Sequence, residues 1–153
     1  APAMDPGPWS TRLGWMVVPP GLVRPIQKLA QNLFIAPPSI SQYAALAAFD
    51  DADGLARMCG LYRERRDFLL PRLRGLGFDI PVTPDGAFYI YAGIERFGMD
   101  SMLFVERALA EAKVAITPGY DFGRFGAASH VRFSYADRLE NLVEGCDRLE
   151  RWL

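Results

Sequence analysis

Predicted strands are spread unevenly along this chain of 153 residues. Residues 1–52 contain one candidate, the apolar run LGWMVV at 13–18, which Pro19 and Pro20 bring to an end. A short continuous apolar run of this kind is typical of a strand buried on both faces of a sheet. Two helices are predicted after it, the second with Ser39 as its N-cap. One strand and two helices provide too few strands for a sheet, so this strand is predicted to lack the neighbours that it needs.

From about residue 53 onward, helices and strands alternate along the chain. The helix candidates are a long amphipathic segment that starts near Asp51, the stretch DSMLFVERALAEAK with Asp100 or Ser101 as its cap, and the terminal stretch RLENLVEGCDRLERWL. The strand candidates are FDI, GAFYIYAGI, VAITPG and HVRFSYA. This alternation predicts a small α/β layer structure in the second part of the chain.

Composition excludes several classes of protein. Half of the residues are apolar, and the net charge of −1 provides no electrostatic attraction for nucleic acid or an anionic membrane. No apolar run approaches the length of a membrane span, and no signal peptide is recognised, so a soluble cytoplasmic protein is expected. With one histidine and the scattered Cys59 and Cys146, no metal site is expected. The cysteines favour a reducing compartment, and a disulfide between them stays open.

Arg132 lies inside an apolar strand, where alternation places Val131 and Phe133 on one face and Arg132 and Ser134 on the other. Two interpretations are open. Arg132 could lie on the solvent face of an edge strand, or its planar guanidinium could clamp a substrate carboxylate.

Arg12 also has two possible interpretations. The hydroxyl side chains of Ser10 and Thr11 precede it in the sequence. The three residues could hold a phosphate, or Arg12 could be a surface residue at the end of a strand.

Five stretches occur in an order that resembles the C-terminal part of a fold-type-I (class I/II) aminotransferase, of the aspartate and aromatic aminotransferase kind. They are TRLGWMVVPPGLVRPIQKL, PPSISQYAALAAF, PDGAFYIY, VAITPGYDFG and HVRFSYA. These enzymes depend on pyridoxal 5'-phosphate. The resemblance implies an α/β fold in three parts: an unmatched leader at 1–11, a remnant of the cofactor-binding large domain at 12–52 (a strand and two helices), and the small C-terminal domain at 53–153.

The resemblance also implies roles for individual residues. Arg12 matches the arginine that binds the cofactor phosphate, and Arg132 matches the arginine that clamps the substrate α-carboxylate. The lysine that forms the Schiff base with the cofactor lies about eight residues before the first arginine, where this chain has Met4. Neither Lys28 nor Lys113 is expected to replace it.

The chain is therefore predicted to be a fragment of an aminotransferase that is inactive alone and binds no cofactor by itself. The complete enzyme would transfer an amino group between an amino acid and a 2-oxo acid, as a homo-oligomer. The alternative is a non-catalytic α/β module that binds a carboxylate ligand or a partner chain, and saturable ligand binding without cofactor would favour it. A third possibility is that another chain supplies the missing half.

Overall fold

A computed structural model describes residues 13–153, and two compact units divide between Ala56 and Arg57. Helix α1 spans Pro20–Leu33, and helix α2 spans Ser39–Asp50. Both helices agree with the sequence prediction. None of the helices in the described part of the chain is long and apolar enough to cross a membrane.

The strand predicted at 13–18 is wrong. These residues form neither a strand nor a helix, and the side chains of Trp15 and Val17 are 69% and 88% exposed. A single extended segment satisfies its backbone groups only by pairing, and residues 13–56 contain no second strand for it. The predicted N-cap at Ser39 is also wrong, because Ser39 is the first helical residue and makes no capping bond. Pro38 takes the cap position instead.

The remaining elements follow in the order helix, strand, helix, strand, strand, helix. Helix α3 spans Ala52–Gly75, strand β1 Tyr89–Gly93, helix α4 Ser101–Arg107, strand β2 Thr117–Pro118, strand β3 His130–Ser134 and helix α5 Leu139–Trp152. A π-helical turn, Ala108–Ala112, continues α4. Asp100 caps α4, since its Oδ1 accepts a 2.9 Å hydrogen bond from the Leu103 amide.

The three strands form an antiparallel sheet in the order β1–β3–β2. The predicted strand FDI contributes one isolated bridge, between Asp79 and Gly93. Pro81 follows soon after Asp79 and has no N–H with which to extend the ladder, which explains why pairing stops there.

One face of the sheet is buried in an apolar core. Phe78 lies near its centre, with ring centroids 4.9 Å from Phe133 and 5.8 Å from Phe104. Helix α3 contributes three buried leucines and helix α5 contributes two buried side chains: Leu69, Leu70, Leu73, Cys146 and Leu149. The other face of the sheet therefore carries the side chains that remain available to a ligand.

Both cysteines are free thiols, which settles the disulfide left open by the sequence. Cys59 is exposed, whereas Cys146 is buried, and burial raises the pKa of the Cys146 thiol.

Glu111 joins the end of α5 to the turn after α4. Its carboxylate accepts hydrogen bonds from Arg107 Nε at 2.8 Å and Nη2 at 2.9 Å, and from Trp152 Nε1 at 2.6 Å. The Arg107 bonds, followed by the Trp152 bond, lower the pKa of Glu111 from its usual 4.5 to about 2. The ionised carboxylate thus stabilises the fold fully above pH 4.5, and this stabilisation is lost as the pH falls from there toward 2.

We therefore expect Glu111→Gln to lower the thermal midpoint near pH 7, with the gap to the wild type closing between pH 4.5 and pH 2. Thermal unfolding followed by circular dichroism at several pH values measures the gap. Glu106→Gln, an exposed change on α4, is the control and should follow the wild type throughout. A gap for Glu111→Gln that stays constant down to pH 2 would contradict the assigned bonds.

Candidate functional site

The exposed face of the sheet presents Arg132 at its centre. The burial pattern along β3 buries Val131 and Phe133 and leaves Arg132 and Ser134 on the opposite face, as alternation predicts. Arg132 lies opposite Tyr91 of β1 and Thr117 of β2. Strand β3 is the central strand, so the interpretation of Arg132 as an edge-strand residue is wrong.

Three aromatic rings surround the Arg132 guanidinium. Its Cζ lies 4.6 Å from the ring centroid of Phe122, 5.6 Å from that of Tyr89 and 5.8 Å from that of Phe88. These are cation–π distances, and the rings also limit the access of water to the cation. The rings remain partly exposed, with Phe122 49% accessible, so each keeps surface for a further contact.

The guanidinium has more donors than partners. Nη2 donates to Thr117 Oγ1 at 3.3 Å, and Nε is buried with no hydrogen-bond partner in the described part of the chain. Within residues 13–153 no carboxylate lies within ion-pair distance of Arg132. A buried donor of a charged group without an acceptor is costly, and this unsatisfied Nε distinguishes Arg132 from the other described arginines.

Two turns carry the aromatic rings to the guanidinium. The first contains Ala87 at φ +64°, and Tyr135 holds it through hydrogen bonds from its hydroxyl to the carbonyls of Gly86, at 3.1 Å, and Ala87, at 3.3 Å. Burial raises the pKa of the Tyr135 phenol, which keeps this donor protonated. This turn positions Phe88 and Tyr89.

The second turn, Gly119–Phe122, follows β2 and carries Phe122. Gly119 is buried, and a Cβ there would lie 2.6 Å from the His130 carbonyl oxygen and 2.8 Å from the Tyr91 hydroxyl. Only glycine, which has no Cβ, allows the turn to lie this close to His130 and Tyr91. The two turns thus bring Phe88, Tyr89 and Phe122 to Arg132.

Arg12 and Met4 lie outside the described residues. Lys28 is exposed in the middle of α1, and Lys113 is exposed at φ +58° with its Nζ bonded to the Ala110 carbonyl at 2.7 Å. The described residues thus include two lysines, each at the surface of its own unit. They also contain no group of three or more histidine, cysteine or acidic side chains that could hold a metal ion.

Sequence reasoning missed Thr117 and Phe122. The strand ITPG contained a signal for Thr117, because alternation places it on one face, but the partner strand could not be read from the chain. Phe88 and Tyr89 also contact the guanidinium.

Comparisons with known proteins agree on one class. No family model matches the chain. Valine–pyruvate aminotransferase of Mycobacterium tuberculosis is 40% identical over 147 residues, which cover 93% of this chain and 37% of that protein. The probable N-acetyl-LL-diaminopimelate aminotransferase of Bacillus subtilis is 41% identical over 143 residues, covering 91% and 35%.

Solved structures show the same likeness. An aromatic aminotransferase from Pyrococcus horikoshii matches with a TM-score of 0.83 at 36% identity, covering 94% of this chain and 39% of that one. An aminotransferase from Mycobacterium tuberculosis matches with a TM-score of 0.82 at 40% identity, covering 95% and 38%.

Fold, sheet and likenesses together define an α/β part of an aminotransferase. The chain matches the C-terminal part of the fold-type-I, pyridoxal-phosphate-dependent aminotransferases of the aspartate and aromatic kind. It spans little more than a third of the length of the relatives that it matches.

Proposed function

We propose that this chain supplies the substrate-carboxylate clamp of an aminotransferase, with Arg132 as the clamp. The observation that carries the proposal is the buried, unpaired Nε of a guanidinium that aromatic rings enclose on an otherwise open sheet face. A guanidinium presents its donors as a rigid planar fork that matches a carboxylate. The surrounding rings lower the local dielectric constant, which strengthens the charged contact.

In the complete protein, the reaction is the transfer of an amino group between an amino acid and a 2-oxo acid. The task of Arg132 is to bind the carboxylate common to both and so orient the reacting carbon. Pyridoxal phosphate provides the amino-group chemistry in this family, and Arg12 is assigned to its phosphate through the resemblance alone. We assign no reaction step to the described residues beyond carboxylate binding.

We further propose a homo-oligomeric state and a cytoplasmic location for the complete protein. The first unit supports association, because large apolar side chains on its surface are left open to solvent. They include Trp15, Met16, Val17, Leu33, Phe34, Ile35 and Ile40. Exposed apolar surface of this extent is typical of a region that another protein surface covers.

The 153 residues alone are expected to bind a 2-oxo acid weakly and to catalyse no transamination. One charged clamp without the rest of a site corresponds to a dissociation constant of about millimolar. Titration with phenylpyruvate, followed by amide NMR shifts, measures the binding, and the methyl ester of the same acid is the neutral control. Micromolar binding without cofactor would favour the carboxylate-binding module instead. Equal binding of acid and ester would contradict the clamp.

A separate experiment tests whether Lys28 or Lys113 can form a Schiff base with pyridoxal phosphate. The chain is incubated with pyridoxal phosphate and reduced with borohydride, and its intact mass is measured. We expect an unmodified mass or scattered labelling well below one equivalent. A single stoichiometric adduct that maps to Lys28 or Lys113 would contradict the proposal that this chain is inactive alone.

A further inference from the structure

We propose that His130 and Tyr91 are positioning residues that hold the aromatic cover over Arg132. The inference rests on the proposed carboxylate site, and it assigns to the only histidine of the chain a role beyond filling space at the start of a strand. Four side chains form a continuous path, from His130 through Tyr91 and Phe122 to Arg132.

The first contact is a stacked pair. The rings of His130 and Tyr91 are nearly parallel, with an interplanar angle of 8° and centroids 5.0 Å apart. His130 Nδ1 lies 2.9 Å from the Gly126 carbonyl oxygen and 3.1 Å from Ser129 Oγ. Because a carbonyl oxygen only accepts, Nδ1 carries a proton and donates it to Gly126. This bond fixes the orientation of the imidazole and therefore the surface on which Tyr91 rests.

The second contact links Tyr91 to the turn that covers the guanidinium. Tyr91 meets Phe122 edge to face, with centroids 6.3 Å apart and an angle of 88°. Its hydroxyl lies against Gly119, at the beginning of the same turn. Tyr91 thus touches the turn at its start and at its end.

Phe122 needs this support because the sheet does not hold it. Pairing between β2 and β3 ends at Pro118, four residues before Phe122. Phe122 is also the ring closest to the Arg132 Cζ, at 4.6 Å. If the stacked pair is lost, Phe122 is free to leave the guanidinium, and water then screens the charge that binds the carboxylate.

The expected effect follows from the size of aromatic contacts. An aromatic pair contributes about 0.5–1.5 kcal/mol beyond the area that it buries. Loss of the pair should weaken phenylpyruvate binding by about two- to tenfold. His130→Phe, which keeps a ring on Tyr91, should retain most of the affinity, whereas His130→Leu should not.

The test compares His130→Leu, His130→Phe and the control Phe125→Leu, which changes a fully exposed ring three residues beyond Phe122. The first readout is the Nε–H NMR signal of Arg132, which needs no ligand. We expect the ring current of Phe122 to shift it, because the ring centroid lies 4.6 Å from the Arg132 Cζ. We expect this signal to move toward the position of a free arginine in His130→Leu alone. The second readout is the phenylpyruvate dissociation constant of each variant.

A folded His130→Leu variant with an unchanged Arg132 signal would overturn the inference. If that variant does not fold, Tyr91→Leu breaks the path from its more exposed side, and an unchanged Arg132 signal in it would overturn the inference equally. The two proposals fail separately: an Arg132 signal that moves in His130→Leu, in a chain that binds no carboxylate, would support the positioning role and reject the clamp.

Discussion

Arg132→Lys should weaken the binding of phenylpyruvate by the chain at least tenfold. A lysine retains the positive charge but presents it as a point, so the planar pair of hydrogen bonds to a carboxylate is lost. The bond to Thr117 Oγ1 is lost as well. A hydrogen bond to a charged group contributes about 1.5–3 kcal/mol, which corresponds to roughly ten- to hundredfold in affinity. The NMR titration used for the wild type measures the change.

Arg124→Lys is the matched control for this variant. Arg124 lies in the segment next to the site, between Phe122 and Phe125, and it is exposed. The Arg124→Lys variant carries the same chemical change a few residues away from Arg132. It should therefore bind phenylpyruvate with the affinity of the wild type. Wild-type affinity in Arg132→Lys, or a comparable loss in Arg124→Lys, would contradict the assignment of Arg132.

Gly119→Ala should destabilise the second unit and impair binding at the same time. The added Cβ would lie 2.6 Å from the carbonyl oxygen of His130, a backbone atom of β3 that cannot move without disturbing the sheet. Overpacking of this kind costs about 1–3 kcal/mol. The turn must also shift away from Tyr91, which removes Phe122 from the guanidinium. Urea unfolding measures the free energy of unfolding, and the phenylpyruvate titration measures the loss of binding.

Gly145→Ala makes the same substitution with the opposite expectation. Gly145 lies within α5, and a Cβ there meets nothing within 4 Å. Replacing a helical glycine with alanine should raise the free energy of unfolding by up to about 1 kcal/mol. A Gly119→Ala variant that is as stable as the wild type would show that the turn packs differently against β3.

Local patterns predicted those parts of the fold that depend on one segment alone. The alternation in HVRFSYA placed Arg132 on the face opposite Val131 and Phe133, and the structure confirms it. Asp100 was one of two predicted caps, and its side chain makes the capping bond. The terminal helix was also predicted, because its apolar positions repeat at helical spacing.

Features that depend on distant segments could not be predicted in this way. The apolar run at 13–18 has the composition of a buried strand, yet a strand forms only where another offers its backbone groups. The same dependence on distant segments limited how much of the candidate site could be predicted. Thr117 and Tyr91 meet Arg132 through antiparallel register, which no local pattern contains. The positive φ of Ala87 has no local signal, since alanine rarely adopts it and glycine is the residue that favours it.

The clamp itself is tested most directly by the arginine side-chain NMR spectrum of the chain during a titration with phenylpyruvate. Each Nε–H group gives its own signal, so the spectrum shows which guanidinium the carboxylate contacts. We predict that the Arg132 signal shifts progressively to a plateau while the signals of the other described arginines stay in place. A titration in which the Arg132 signal does not move, or in which another arginine between residues 13 and 153 responds instead, would contradict the assignment of this sheet face as the carboxylate site.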